Sequence, residues 1–198
     1  DNFKIEMLTY VSDPSKESLV INEVMTGNVD NFISTAYNFD KWIEIYNPTD
    51  QSVILDECYF SDKANELKMF QMPKTGVIVP AKGYYVVWFD SHGICPTQPW
   101  FDLDNDGGAI YISDRNGQLL TSYTYPSSVG RSSFARQEDG GEIWGWTVEA
   151  TPGKSNAGSK FASVRLQAPT VNVESQMCTS AFDLQVDIPT GCTLRYTT

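Results

Sequence analysis

Leu19-Val20-Ile21-Asn22-Glu23-Val24 and Trp42-Ile43-Glu44-Ile45-Tyr46-Asn47 are the two stretches that decide the fold. Val20, Asn22 and Val24 alternate with Leu19, Ile21 and Glu23, while Ile43 and Ile45 alternate with Trp42, Glu44 and Tyr46. Period-two alternation of β-branched and aromatic residues marks strands, because successive side chains leave a pleated backbone on opposite faces. Outward from this pair, Val53 to Leu55, Val77 to Val79, Tyr84 to Phe89, Ala109 to Ile112 and Leu119 to Tyr125 read the same way. Turn residues separate them at Asn47-Pro48-Thr49-Asp50, Pro80-Ala81-Lys82-Gly83, Asn105-Asp106-Gly107-Gly108 and Arg115-Asn116-Gly117. The last lies between two strand signals and predicts a hairpin. No stretch keeps a 3.6-residue period, so the reading is all-β, a sandwich or barrel.

Composition narrows the partners. The 198 residues are 41% hydrophobic and 20% charged, a globular balance. With 25 acidic against 14 basic side chains the net charge is −11, which excludes nucleic acid and an anionic membrane surface as main partners. The longest apolar runs, such as Tyr84 to Phe89, are too short to span a bilayer, so membrane insertion is excluded. The opening Asp1-Asn2-Phe3-Lys4 does not have the layout of a signal peptide, and any export signal is expected to have been removed or never included. The single histidine, His92, excludes multi-histidine zinc sites and HExxH chemistry.

The four cysteines, Cys58, Cys95, Cys178 and Cys192, have no Cys-x-x-Cys spacing, which argues against zinc and thioredoxin-type chemistry. Two disulfides suggest themselves, Cys58 with Cys95 and Cys178 with Cys192, against the alternative of four buried thiols. Paired cysteines in an acidic, histidine-poor chain point to an exported protein: extracellular, cell-surface or periplasmic.

Composition shifts at Thr151-Pro152-Gly153-Lys154-Ser155-Asn156-Ala157-Gly158-Ser159, where a domain is expected to end. From Gln167-Ala168-Pro169 a second β pattern begins, with residues enough for two or three strands. The expected organisation is an extension over residues 1–18, a sandwich over 19–158 and an incomplete β module over 168–198.

The two opening stretches resemble the start of a lamin-tail domain as found in bacterial exported proteins. Val79-Pro80-Ala81-Lys82-Gly83-Tyr84, then Gly107-Gly108-Ala109-Ile110-Tyr111-Ile112-Ser113-Asp114 with Gly117, then Thr151-Pro152-Gly153 with Asn156 keep that family's order. The resemblance runs from about Leu19 to Asn156. It implies an immunoglobulin-like β-sandwich serving as an accessory module beside other domains. The tail from Ala168-Pro169 to Arg195-Tyr196-Thr197-Thr198 resembles the start of a chitobiase-type C-terminal module, also immunoglobulin-like. Two features depart from the lamin-tail pattern. Glu57-Cys58 stands where a glycine and an aromatic are usual, and Ser91 to Trp100 reads as an insertion.

Few patterns carry chemistry. Gly153-Lys154-Ser155 does not have the upstream glycine of a phosphate loop, since Val148 occupies that place. Lys74-Thr75-Gly76 has no Ser-x-x-Lys to serve and reads as a turn. Asn47-Pro48-Thr49 fails as a glycosylation acceptor because proline is central. Asp102-Leu103-Asp104-Asn105-Asp106-Gly107 matches half of a calcium loop, but the closing position is Ser113, so Asp102, Asp104 and Asp106 read as a solvated acidic turn with at most weak calcium affinity. Glu23 and Glu44 can lie on neighbouring strands, as paired glycosidase carboxylates do, but without an orienting partner they read as caps or solvated strand ends. Among the aromatics, Trp100, Trp144 and Trp146 are the candidates for an exposed carbohydrate platform.

The expected function is therefore a non-catalytic accessory or interaction module of a larger exported protein. Its partner is a protein or glycan at the cell surface, it needs no cofactor, and it is a monomer. The alternative is a carbohydrate-binding module built on the exposed aromatics.

Overall fold

The computed structural model describes residues 16–128, 130–163, 166, 168–174, 177 and 179–196. They divide into two compact units, one running to Ser163 and one beyond it. Apart from a 3-10 turn at Lys16–Ser18, the regular elements of both are strands.

The first unit holds β1 (Val20–Met25), β2 (Lys41–Tyr46), β3 (Val53–Ile54), β4 (Tyr59–Ser61), β5 (Phe70–Gln71), β6 (Ile78–Val79), β7 (Tyr84–Phe89), β8 (Gly107–Ser113), β9 (Leu119–Pro126), β10 (Ser133–Arg136) and β11 (Trp144–Thr147). A five-stranded sheet in the order β11-β10-β1-β2-β7 faces a four-stranded sheet in the order β5-β4-β8-β9, with β3-β6 as a separate pair. All pairings are antiparallel, as an immunoglobulin-like sandwich requires. Ile21, Val24, Ile43, Ile45, Val87 and Phe89 from the first sheet meet Phe60, Ile110, Ile112 and Tyr125 from the second in one buried core. Each such side chain contributes about 1.5–3 kcal/mol on burial.

Strand β1 departs from the simple alternation read from its sequence. Ile21 pairs with Ile45 and Glu23 with Glu44, which leaves Asn22 as the extra residue of a β-bulge. A bulge resets the parity of the strand beyond it. Ile21 and Val24, three apart, therefore both reach the core, while Glu23 turns to the outer face opposite Glu44. That outer face is itself covered: Phe32 packs edge-on against Trp42 at 6.0 Å, and Trp42 against Trp88 at 6.1 Å. This covering is why five of the six β1 residues are buried.

The open side of the sandwich is closed by aromatics from both sheets. Tyr123 of β9 stacks on Trp144 of β11 at 3.7 Å, and Phe134 of β10 lies 5.6 Å from the same ring. The Arg136 guanidinium sits 4.7 Å from the Trp144 ring, a cation–π contact. The edge of β11 continues into a bridge between Trp146 and Ala162, so the chain stays with the first unit beyond residue 158.

The turns follow their chemistry. In the β8–β9 hairpin, Gly117 adopts φ 90° and the Asp114 carboxylate accepts from Asn116 N and Gln118 N. Asn47 is buried and donates through Nδ2 to the carbonyls of Gln51, Val79 and Pro80, which ties two loops together. Glu57 takes φ 62°, a left-handed conformation that glycine adopts more readily, at the place where the resembled pattern has glycine.

The second unit pairs β12 (Thr170–Val171) with β13 (Val186–Asp187), antiparallel. Val171, Phe182, Leu184 and Tyr196 are exposed there. Residues 1–15, which hold most of the expected N-terminal extension, lie outside the described residues, as does Cys178.

Candidate functional site

Glu23 and Glu44 do not cap or solvate strand ends. Both side chains are fully buried, and they face each other across β1 and β2. The reason is the bulge at Asn22 together with the segment from β10 to Asn156, which folds back over this face. Ser133 Oγ donates to Glu23 Oε1, and Thr151 donates to Glu23 Oε2 from its backbone N at 3.2 Å and its hydroxyl at 3.3 Å. Glu44 Oε1 accepts from Asn22 Nδ2 at 2.9 Å and Oε2 from Gly153 N at 2.7 Å.

Asp139 is the third carboxylate of this cluster. Its Oδ1 accepts from Asn22 Nδ2 at 3.0 Å and Asn156 N at 3.0 Å, and its Oδ2 accepts from Tyr84 Oη at 2.7 Å and from Ser155 Oγ. Asn156 completes the clasp by donating to the Arg136 carbonyl at 2.8 Å. Asn22, Glu23 and Glu44 from the first two strands and Thr151, Gly153 and Asn156 from the later segment thus meet in one hydrogen-bonded network. The backbone N–H groups of Thr151, Gly153 and Asn156 are among the donors that satisfy these carboxylates.

Charge in this network is costly. Burial pushes the Glu23 carboxyl up to about 7, against the opposing effect of its Ser133 and Thr151 donors. Burial likewise pushes Glu44 up to about 8, with the neighbouring Glu23 adding to the rise. For Asp139 burial is outweighed by its Ser155, Tyr84, Asn156 and Asn22 donors, which hold it below the usual range. Tyr84 is raised by burial and by donating to Asp139. Burial thus pushes both glutamates toward the protonated form, while the donors around Asp139 favour its ionised form. With every carboxylate oxygen of the two glutamates already accepting from the protein, the arrangement joins strands and presents no surface to a substrate.

The inserted loop after β7 is organised by a different carboxylate. Asp90 is fully buried, and it accepts from His92 N at 3.0 Å, Ile94 N at 2.6 Å and Cys95 N at 3.0 Å. Burial favours a raised value, yet the Cys95, Ile94 and His92 N–H groups and the nearby imidazole outweigh it and hold Asp90 below its ordinary range. Gln98 Nε2 donates to Thr35 Oγ1 at 2.6 Å and anchors the far side of the loop.

These contacts replace the expected tether. No disulfide joins Cys58 and Cys95: Cys58 lies in the core, whereas the Cys95 thiol faces Thr97 Oγ1 at 3.3 Å and Thr35 Oγ1 at 3.9 Å. Burial raises the Cys95 thiol, but contacts from Thr97 and Thr35 outweigh it and leave it lowered. Cys192, in the second unit, is a half-buried free thiol.

Asp102 pairs with the Lys41 ammonium at 2.8 Å, and Asp104 accepts from Asp106 N at 2.9 Å. An ammonium thus sits against the turn, and two of the three carboxylates are engaged locally. Trp100 is 53% exposed and rests edge-on against Phe101 at 5.9 Å, while Trp144 is covered by Tyr123 and Arg136 and Trp146 leans on Phe134 at 4.8 Å. Trp144 and Trp146 lie on one face of β11 against Phe134, and Trp100 belongs to the inserted loop. Asp139, Tyr84, Asp40 and Asp90 escaped the sequence reading because no local spacing marks them; only the turn residues Ser91, His92 and Gly93 after Asp90 hinted at a side-chain cap.

The model of the family described as Lamin Tail Domain matches residues 12–127, more than half of the chain. No curated protein matches the sequence.

Proposed function

The chain belongs to the lamin tail domain family, and from that premise we propose that it is a non-catalytic accessory module of an exported protein, one that positions a neighbouring domain or holds a partner at the cell surface. The observation that carries this reading is the fate of Glu23 and Glu44. The pair with the register of a catalytic dyad is sealed beneath the Thr151–Asn156 segment, with its oxygens occupied by Ser133, Thr151, Asn22 and Gly153. The acidic net charge of −11 favours basic or neutral partners. Exposed apolar residues in the second unit, such as Phe182 and Leu184, support reading residues 168–198 as the opening of a second immunoglobulin-like module of chitobiase type.

A panel of ester, glycoside and phosphate substrates tests the non-catalytic reading, with turnover expected at the level of buffer. Turnover that disappears in Glu44→Gln would overturn it. A second reading, glycan binding, is favoured by Trp100 alone, whose exposed indole is held edge-on by Phe101, itself packed on Phe89 at 5.3 Å. A glycan array separates the two: retention lost in Trp100→Ala selects glycan binding, and no retention selects a protein partner.

A further inference from the structure

We infer that Asp40, Asp90 and His92 form a binding site for a divalent first-row transition-metal ion, with zinc the best match to two carboxylates and one imidazole. One ligand atom from each lies within 4.8 Å of the other two, among the described residues the one group of this kind. Asp40 and His92 line a depression between the end of β7, the start of β2 and the inserted loop, together with Asn38, Ser91 and Asp102, and the buried Asp90 lies within reach of both.

Burial is the independent reason to expect a cation. Asp90 is fully buried and Asp40 is 8% exposed, so two carboxylates approach each other largely out of water. Buried charges in proteins are paired or coordinate metals. The nearest basic side chain in the depression, Lys41, is committed elsewhere, to Asp102 and to the Leu103 carbonyl. Asp40 accepts from Ser34 through Oδ2. Asp90 has each oxygen fixed by backbone N–H groups, so its remaining lone pairs are already oriented. His92 Nδ1 stands 3.6 Å from Asp90 Oδ1 on a side chain that is 67% exposed. Three protein ligands with one on the solvent side leave room for water in the remaining positions. Imidazole disfavours calcium and magnesium, which take oxygen ligands, and favours zinc and its neighbours.

The test is calorimetric titration of zinc chloride into chelator-treated protein. One saturable equivalent is expected, weakened about tenfold or more by His92→Ala and by Asp40→Asn. Because His92 is exposed, its replacement leaves the fold intact, and it is the decisive variant. Cys95→Ser should bind as the unmodified chain does. No saturable zinc binding, affinity unchanged in His92→Ala, or affinity lost in Cys95→Ser would each overturn the site. Saturable calcium binding of equal strength would overturn the assignment to a transition ion.

Discussion

Glu44 and Asp90 are both fully buried carboxylates that accept hydrogen bonds from backbone N–H groups of a later segment, yet burial dominates one and not the other. Glu44 has one backbone donor and one amide donor, and it faces a second carboxylate, Glu23. Asp90 has three backbone donors and an imidazole beside it. The lesson is that the sign and number of neighbours, and not depth alone, set the protonation state of a buried acid. The consequence is a division of labour: a hydrogen-bonded clasp between strands whose carboxyls are pushed toward the protonated form, and a cap within a loop whose carboxyl is held toward the ionised form.

The largest effect expected from this contrast is in Glu44→Ala. It strands Gly153 N and one of the two Asn22 Nδ2 hydrogens in the interior, the other staying on Asp139, at a cost of about 2–4 kcal/mol. A fall in Tm of about 5–15 °C should follow by calorimetry, and a fall under about 2 °C would show that the clasp contributes little.

The pH profile comes next. Glu23 and Glu44 have folded values of about 7 and about 8, above the ordinary glutamate value of 4.5, so the folded state holds protons that the unfolded state releases. Their contribution is fully present below that ordinary value, declines as the pH rises and is gone above the folded values. The Tm should therefore drop between pH 5 and pH 9, by about 5–10 °C. Glu44→Gln, which mimics the protonated acid, should flatten the upper part of the curve. A flat curve for the unmodified chain would remove the distinction between the two carboxylates.

Asp90→Ala tests the other half of the comparison. It releases three N–H groups on a surface loop, where water can replace the lost acceptor, so the loss of Tm should stay under about 5 °C. Limited proteolysis should instead cut between Ser91 and Trp100. A global loss as large as that of Glu44→Ala would mean the inserted loop is part of the core. The smallest effect belongs to the exposed acidic turn. Lys41 already neutralises Asp102, so excess calcium against chelator should move Tm by no more than about 1 °C.

Much of the sandwich was legible in short range. Tyr84 to Phe89 reads as a strand with the bounds the structure gives, and Arg115-Asn116-Gly117 reads as the hairpin it forms. Strands β4, β5, β10 and β11, two to four residues each, were not read from the sequence; their pairing partners define them.

Composition, alternation and turn chemistry by themselves determined the class of fold, the acidic surface and the order of the motifs, because each depends on neighbours along the chain. The tertiary structure alone decided what those motifs do. One bulged residue, Asn22, turned Glu23 from the core face to the outer face, and a segment more than a hundred residues later supplied Thr151 and Gly153 to satisfy it and Glu44. A carboxylate's role depends on its desolvation and its donors. Both come from residues distant in sequence, so only the folded chain could separate the clasp at Glu23 and Glu44 from the cap at Asp90.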